Sequence, residues 1–191
     1  MLESNVKQYY RQHDCSRIAQ GDILRDLKFV ITGRDDAQIE VFFPYVIVLS
    51  QDCDLEQGSK IFNLIKSPEQ EISFNQFLHS VLYVPAFPAQ TLREGTHLNK
   101  LFNIRTMRLT SDLWKPIVNN ENPRYHYLPP FIDMQIPELM IDFKAYYSLS
   151  FHYFHQIYGD YYFASLNELF RENLSQRFAN YLNRVGLPEL K

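Results

Sequence analysis

Apolar residues recur at a spacing of two along most of the chain and switch to helical spacing near its C-terminal end, so the pattern predicts strands followed by a helix. Gly21-Asp22-Ile23-Leu24 opens the strand region. Leu27-Lys28-Phe29-Val30-Ile31-Thr32 then runs into Gly33-Arg34-Asp35-Asp36, and Ile39-Glu40-Val41-Phe42 returns. Gly and Asp between two β-rich runs are hairpin chemistry. Positions 45–49 are apolar throughout, which is the pattern of a strand covered on both faces and places it centrally in the sheet. Pro44 is expected at the first position of that strand, where a missing N–H does least harm. Further strands are expected over 61–65, 81–87, 104–109, 125–128 and 140–149, with a polar loop over 115–122.

The helical signal is the sharpest. Ser165-Leu166-Asn167-Glu168 has the form of a capping box, with Ala164 and Leu169 placed as a hydrophobic staple. Leu166, Leu169, Phe170, Leu174, Phe178, Leu182 and Val185 repeat at helical spacing, then Gly186 and Pro188 stop the pattern. This predicts a helix over 166–185 packed on the sheet. The chain thus divides into a polar helix or arm (1–17), a β-rich domain (18–150) and an aromatic segment with a helix (151–191) belonging to the same fold. The expected class is α+β: a small, mainly antiparallel barrel or rolled sheet with a long C-terminal helix.

With 191 residues the chain can bury a core without staples, and two cysteines are too few for a disulfide framework. A net charge of −3 argues against a protein whose main work is coating nucleic acid, while leaving room for one basic face. The polar N-terminal residues, and an apolar stretch over 41–49 that is too short to span a bilayer, lead to the expectation of a cytoplasmic protein without a membrane partner. The 15 Phe and 13 Tyr suit a core or a protein interface.

Candidate chemistry concentrates in Ser50-Gln51-Asp52-Cys53-Asp54-Leu55, at the exit of the central strand. If the strand continues, Asp52 and Asp54 share one face and Cys53 takes the other. Two carboxylates on one face suit a hard divalent cation, and Cys53 suits a nucleophile awaiting a His; the plainer expectation is Cys53 as a small buried apolar residue with the Asp side chains capping a turn. Arg124 and His126 would share a strand face with Tyr125 and Tyr127 opposite, a set that suits phosphate or a base. Arg177 and Arg184 lie seven positions apart on the predicted helix, as a ridge that contacts phosphate or is simply solvated. Lys100, Arg105 and Arg108 form a lesser basic group. His152 and His155 have ligand spacing without an evident third ligand, so no cofactor is expected.

Gly21-Asp22-Ile23-Leu24, a hairpin, then Pro44-Tyr45-Val46-Ile47-Val48-Leu49-Ser50 resembles the opening of the MazF/PemK-like toxins. The resemblance covers some 30 residues and implies an SH3-like barrel and metal-independent RNA cleavage. Phe43 stands where that family usually has Arg, and Gly33-Arg34-Asp35-Asp36-Ala37-Gln38 replaces its Gly-x-Glu-Gln segment, so its catalytic residues have no counterparts here. A wider resemblance, carried by Ser50 to Asp54, Arg124 to Pro129, Asp142-Phe143 and Arg184 to Pro188, is to uncharacterised bacterial proteins suspected in defence loci. Two functions are weighed. One is a non-catalytic binding or assembly module of a bacterial defence or toxin–antitoxin-type complex, with a protein partner or a second copy and a face open to nucleic acid. The other is a toxin-like endoribonuclease built on Asp52, Asp54, Arg124 and His126.

Overall fold

The computed structural model describes residues 8–32, 36, 38–64 and 76–183. In chain order the elements are β1 (Tyr10–Arg11), β2 (Asp22–Thr32), β3 (Gln38–Val48), α1 (Asp52–Leu64), β4 (Ser80–Pro88), α2 (Ala89–Arg93), α3 (Asn99–Phe102), α4 (Ser111–Val118), β5 (Tyr125–Leu128), β6 (Leu139–Asp142), β7 (Tyr147–Ser150), α5 (Phe151–Tyr161), β8 (Tyr162–Leu166) and α6 (Glu168–Leu182). The strands form one antiparallel sheet in the order β1-β8-β2-β3-β4-β6-β5. β7 pairs with Ser80–Tyr83 of β4, beside the stretch that β6 pairs through Ala86–Pro88. The sheet curls into a half-barrel, and the Tyr10 hydroxyl of its first strand donates to the Pro129 carbonyl just past its last, at 2.7 Å.

Alternation along the central strands builds two cores. Ile23, Tyr45, Ile47, Val84 and Ile141 face one side, where Leu174 and Phe178 of α6 cover them. Leu24, Val46, Val48 and Val81 face the other, under Leu55 of α1 and Phe151, Phe154 and Tyr158 of α5. The expectation of a central strand over 45–49 therefore holds, because both of its faces are covered. The hairpin also holds, with Thr32 opposite Gln38. Pro44, however, sits inside β3 rather than at its start. Its neighbours Phe43 and Tyr45 pair with Leu27 and Arg25, and Asp26 between those two takes a left-handed φ of 57° where the ladder lapses.

Other expectations are corrected. Positions 61–64 close helix α1 instead of forming a strand, while Ile65 lies outside the described residues. The buried stripe of α1 is Leu55, Gly58 and Ser59, and small residues carry little hydrophobic signal in a sequence. Positions 104–109 are irregular. The loop expected over 115–122 begins as helix α4, with Pro116 inside it and Trp114 and Ile117 turned to a third, smaller core with Leu92 and Met140. The run over 140–149 divides into β6 and β7. Within the expected arm, Tyr10 and Arg11 form the short strand β1, and the other described residues, 8–9 and 12–17, are irregular.

The C-terminal helix starts two residues later than expected because Leu166 ends β8. Ser165 is no cap: its hydroxyl turns inward, and Asn167 takes the N-cap position. Arg184, Val185, Gly186 and Pro188 lie outside the described residues. No helix among the described residues is long and apolar enough to cross a membrane.

Candidate functional site

β3 ends at Val48, and the Ser50 hydroxyl accepts the Leu82 N–H at 2.7 Å, so the chain turns off the sheet there. Asp52, Cys53 and Asp54 then form the first turn of α1, where acidic side chains complement the positive end of the helix. Helical geometry overrides the alternation expected of a continuing strand. Asp52 turns inward and accepts both arms of the Arg17 guanidinium at 3.0 Å and the Gln20 N–H at 3.1 Å. Arg171 of α6 stands 4.0 Å away. The Arg17 hydrogen bond, foremost, holds the Asp52 carboxyl below its usual range. Cys53 is exposed rather than buried as expected, because the first turn of α1 faces the cleft, and its thiol makes weak contacts to Gln51 and Asp54 at 3.8 and 3.7 Å; Asp54 is exposed beside it.

These residues line a cleft of about 540 Å³ together with Gln20, Glu172 and Ser175. The Gln20 amide spans its floor, donating to the Leu49 carbonyl at 3.2 Å and to Ser175 at 2.9 Å. Among the described residues no group of three or more His, Cys, Asp and Glu is placed to hold a metal ion. With the Asp52 oxygens engaged by Arg17, the cleft offers a polar, hydrogen-bonding wall rather than a paired-carboxylate cation site.

Arg124 and His126 lie elsewhere. Arg124, just ahead of β5, forks onto Asp142 at the end of β6, Nε to Oδ1 at 2.8 Å with Nη2 to Oδ2 alongside. Its guanidinium lies 4.9 Å from the centroid of the Tyr125 ring. Arg124 lines a separate cleft that contains none of Asp52, Cys53 and Asp54. His126 points into the core, 3% exposed and beside Phe143. Burial, and then the Arg177 charge, push its imidazole down to about 3, so it is neutral at physiological pH.

Arg177 serves the fold as well. It donates to the carbonyls of Asn120, Asn122 and Tyr125 at 2.6, 3.0 and 2.8 Å and so pins the turn before β5 to α6. Arg184 lies outside the described residues. His152 and His155 flank the Phe62 ring, and Lys100, Arg105 and Arg108 are exposed.

The tightest polar cluster escaped the motif reading. Asp22, fully buried at the start of β2, accepts four hydrogen bonds. They come from His13 Nε2 at 2.9 Å, Ser165 at 2.6 Å, Tyr158 at 2.7 Å and the Ala19 N–H at 2.7 Å. His13 Nδ1 takes the Cys15 N–H at 3.2 Å, which puts the ring proton on Nε2, toward Asp22. Tyr162 bridges the His13 N–H and the Ser165 hydroxyl at 3.0 and 2.9 Å. Gly21, at φ 83° and with Arg171 and Leu166 against its Cα, lets the chain turn into this node.

Cys15, His13 and Asp22 have the residue types of a nucleophilic triad, yet the imidazole meets the Cys15 backbone rather than its thiol. Burial first, then Asp22, pushes that thiol up and away from the reactive thiolate. The node joins the N-terminal segment to β2, α5 and β8. Its one sequence signal is an acid directly ahead of the apolar strand positions Ile23 and Leu24.

The Arg17–Asp52 pair carries a measurable prediction. The side chains are 32% and 28% exposed, so screening limits their coupling to about 0.5–1.5 kcal/mol in an Arg17→Met, Asp52→Asn double-mutant cycle. Because the Asp52 carboxyl is held low, the coupling is full above the ordinary carboxylate range and fades as pH falls through the folded value. Urea titrations at neutral and acid pH measure both, and zero coupling at neutral pH refutes it.

No family model, curated protein or solved structure matches this chain.

Proposed function

We propose that this protein is a non-catalytic binding module that receives an uncharged, apolar segment of a protein partner. One observation carries the reading: an open groove of about 460 Å³ between the outer half of the β2–β3 hairpin, α3, β7 and the start of α5 has aromatic walls and, among the described residues, no charged side chain in its lining. Phe29, Phe43, Tyr83, Phe102, Tyr147 and Tyr153 supply the rings. Val30 at its rim is 55% exposed and Phe102 is 50% exposed. Contiguous exposed apolar surface of this kind marks interaction sites, and aromatic anchors dominate the energy of such contacts.

Most of the charged residues weighed for catalysis or for nucleic acid support the same reading from the other side. Asp52 is engaged by Arg17, Arg124 by Asp142 and Arg177 by backbone carbonyls, while Asp54 stays exposed. The SH3-like, MazF/PemK-like assignment of the half-barrel belongs to this reading, supported by the strand, hairpin and central strand from Gly21 to Ser50.

Selection from a displayed library of short peptides tests the proposal. Enriched sequences are expected to be apolar or aromatic, and Val30→Lys with Tyr153→Asp to weaken their binding about a hundredfold, as loss of two anchors would. Circular dichroism checks that these variants fold. Concentration-dependent dimers lost in the same variants would make the occupant a second copy. Cleavage of labelled single-stranded RNA, with or without Mg²⁺ or Mn²⁺, lost in Asp52→Ala and His126→Ala would overturn the module for the endoribonuclease.

A further inference from the structure

Strand β7 lies beside the aromatic groove with one edge unpaired. Its residues pair with β4 from Ser80↔Ser150 to Tyr83↔Tyr147, and among the described residues no strand pairs with its other edge. What that edge presents follows from β4. Leu82 turns both of its main-chain groups toward β3: its carbonyl accepts the Leu49 N–H at 2.8 Å, and its N–H reaches the Ser50 hydroxyl at 2.7 Å. Successive residues of an antiparallel strand point these groups to opposite sides, so Val81 and Tyr83 turn theirs to Leu149 and Tyr147 of β7. The Phe151 N–H continues the alternation onto the His79 carbonyl at 2.9 Å. Ser148 therefore directs its N–H and C=O away from β4, as Ser150 does its N–H, and both serines are exposed.

The end strand β5 is treated differently, because the chain closes its outward edge. The Asn120 side chain accepts the Tyr127 N–H at 2.7 Å and donates to the Tyr127 carbonyl at 3.1 Å, as a paired strand would. The Tyr125 N–H reaches the Asn122 carbonyl at 3.3 Å, and Arg177 takes the Tyr125 carbonyl. Sheets blunt their edges in such ways because an open edge recruits another strand. No side chain, turn or strand among the described residues meets the outward groups of Ser148 in this way. Its own residue type adds neither the charge of Lys nor the missing N–H of Pro.

The groove meets this strand along its length, since Tyr147, Ser148, Leu149 and Ser150 all line it. Side chains of successive strand residues alternate between faces, so a groove touched by four in a row runs along the strand. Tyr147 and Leu149 turn to the face that carries Phe43 and Tyr83, and the Tyr147 ring lies 5.2 Å from that of Phe43. A strand laid beside β7 sets every second side chain on that same face, next to Tyr147 and Leu149. The charges are complementary too. Among the described residues no charged side chain lines the groove, so it suits uncharged side chains, and the N–H and C=O dipoles at Ser148 are matched by those of another main chain.

We propose that the partner's segment binds in an extended conformation, as a strand added to the open edge of β7. It exchanges main-chain hydrogen bonds with Ser148 and sets alternate apolar or aromatic side chains into the groove. This mode of binding rests on the module reading and deepens it: affinity comes from the main chain at β7, and selectivity from every second side chain.

The tightest peptide enriched from the displayed library, bound to the full-length protein, provides the test. Methylating its main-chain nitrogens one at a time should weaken binding about tenfold at every second residue of the bound stretch and little in between. Ser148→Pro removes the outward N–H without taking a bond from the β4 ladder and should weaken binding about tenfold, the loss of one hydrogen bond. Ser148→Ala keeps that N–H and should bind like wild type. Amide exchange in the wild-type protein needs no variant to fold: the Ser148 N–H should exchange freely alone and be protected in the complex. A methylation series without alternation, or a Ser148 amide left unprotected by the peptide, overturns the added strand. The module reading still stands in that case if binding falls in Val30→Lys with Tyr153→Asp. Enrichment of no peptide overturns both. Protection of Ser148 that grows with protein concentration in the absence of peptide gives the edge to a second copy and overturns the separate partner.

Discussion

Asp22→Ala is expected to lose about 3–6 kcal/mol and to leave the protein largely unfolded at room temperature. The carboxyl is fully buried and accepts three donors that are buried with it, the Ala19 N–H and the Tyr158 and Ser165 hydroxyls. Each costs about 1–3 kcal/mol when left without an acceptor. Burial, with Asp22 second, pushes the Tyr158 phenol far above its ordinary range, so it remains a proton donor and cannot relieve the loss by ionising. His13, the fourth partner, is 22% exposed and can turn to water.

The sum rivals the whole stability of an ordinary domain. Asp22→Asn keeps the shape but offers one acceptor oxygen in place of two, and should lose about half as much. Urea unfolding followed by circular dichroism ranks the three proteins. A loss below about 1 kcal/mol for Asp22→Ala would show that the node is not what ties the N-terminal segment to the sheet.

Acid is expected to destabilise the protein well before its carboxylates titrate, through His126. Its imidazole is neutral in the fold down to about pH 3, whereas an unfolded histidine takes a proton near pH 6.5. Between those values the unfolded chain binds the extra proton. Stability is therefore greatest above about pH 6.5 and falls as pH drops, by about 1.4 kcal/mol per unit, or about 2 kcal/mol by pH 5. His126→Leu removes both the titrating group and a buried Nδ1 that has no partner among the described residues. It should match or exceed wild type at neutral pH and lose this part of the slope between pH 7 and 5. Urea midpoints at the two pH values decide it, and an unchanged slope in the variant would assign the acid sensitivity to other groups.

His126 also shows why its role was hard to read. Alternation predicted Arg124 and His126 on one strand face, but β5 begins only at Tyr125, and which of its faces meets the core is decided by what lies across the sheet. Ile141 opposite and Phe143 beside it make that face apolar, and α6 brings Arg177 to seal it. Arg124, two residues earlier, lies past the end of the strand and reaches the surface through Asp142. His97 shares a cleft with Arg124 though no spacing links the two in the chain.

The features legible in the sequence are those whose causes are local. The β2–β3 hairpin follows from a turn-rich tetrapeptide between β-rich runs, the central place of 45–49 from an unbroken apolar pattern, and α6 from an apolar repeat at helical spacing. The start of α6 already escaped that reading, because the Ser165 hydroxyl found Asp22, 143 positions away, instead of the backbone ahead of it.

Everything about the polar clusters has this long-range character. Arg17 reaches Asp52 across 35 positions, and Tyr158 reaches Asp22 across 136. Helix α1, whose packing stripe includes Gly58 and Ser59, is defined by the Leu78 and Phe151 side chains it fits against rather than by its own periodicity. Periodicity and turn chemistry act over a few residues and can be read from them. Burial, ionisation and the choice of hydrogen-bond partner depend on the surroundings that distant segments create, and only the folded arrangement supplies those.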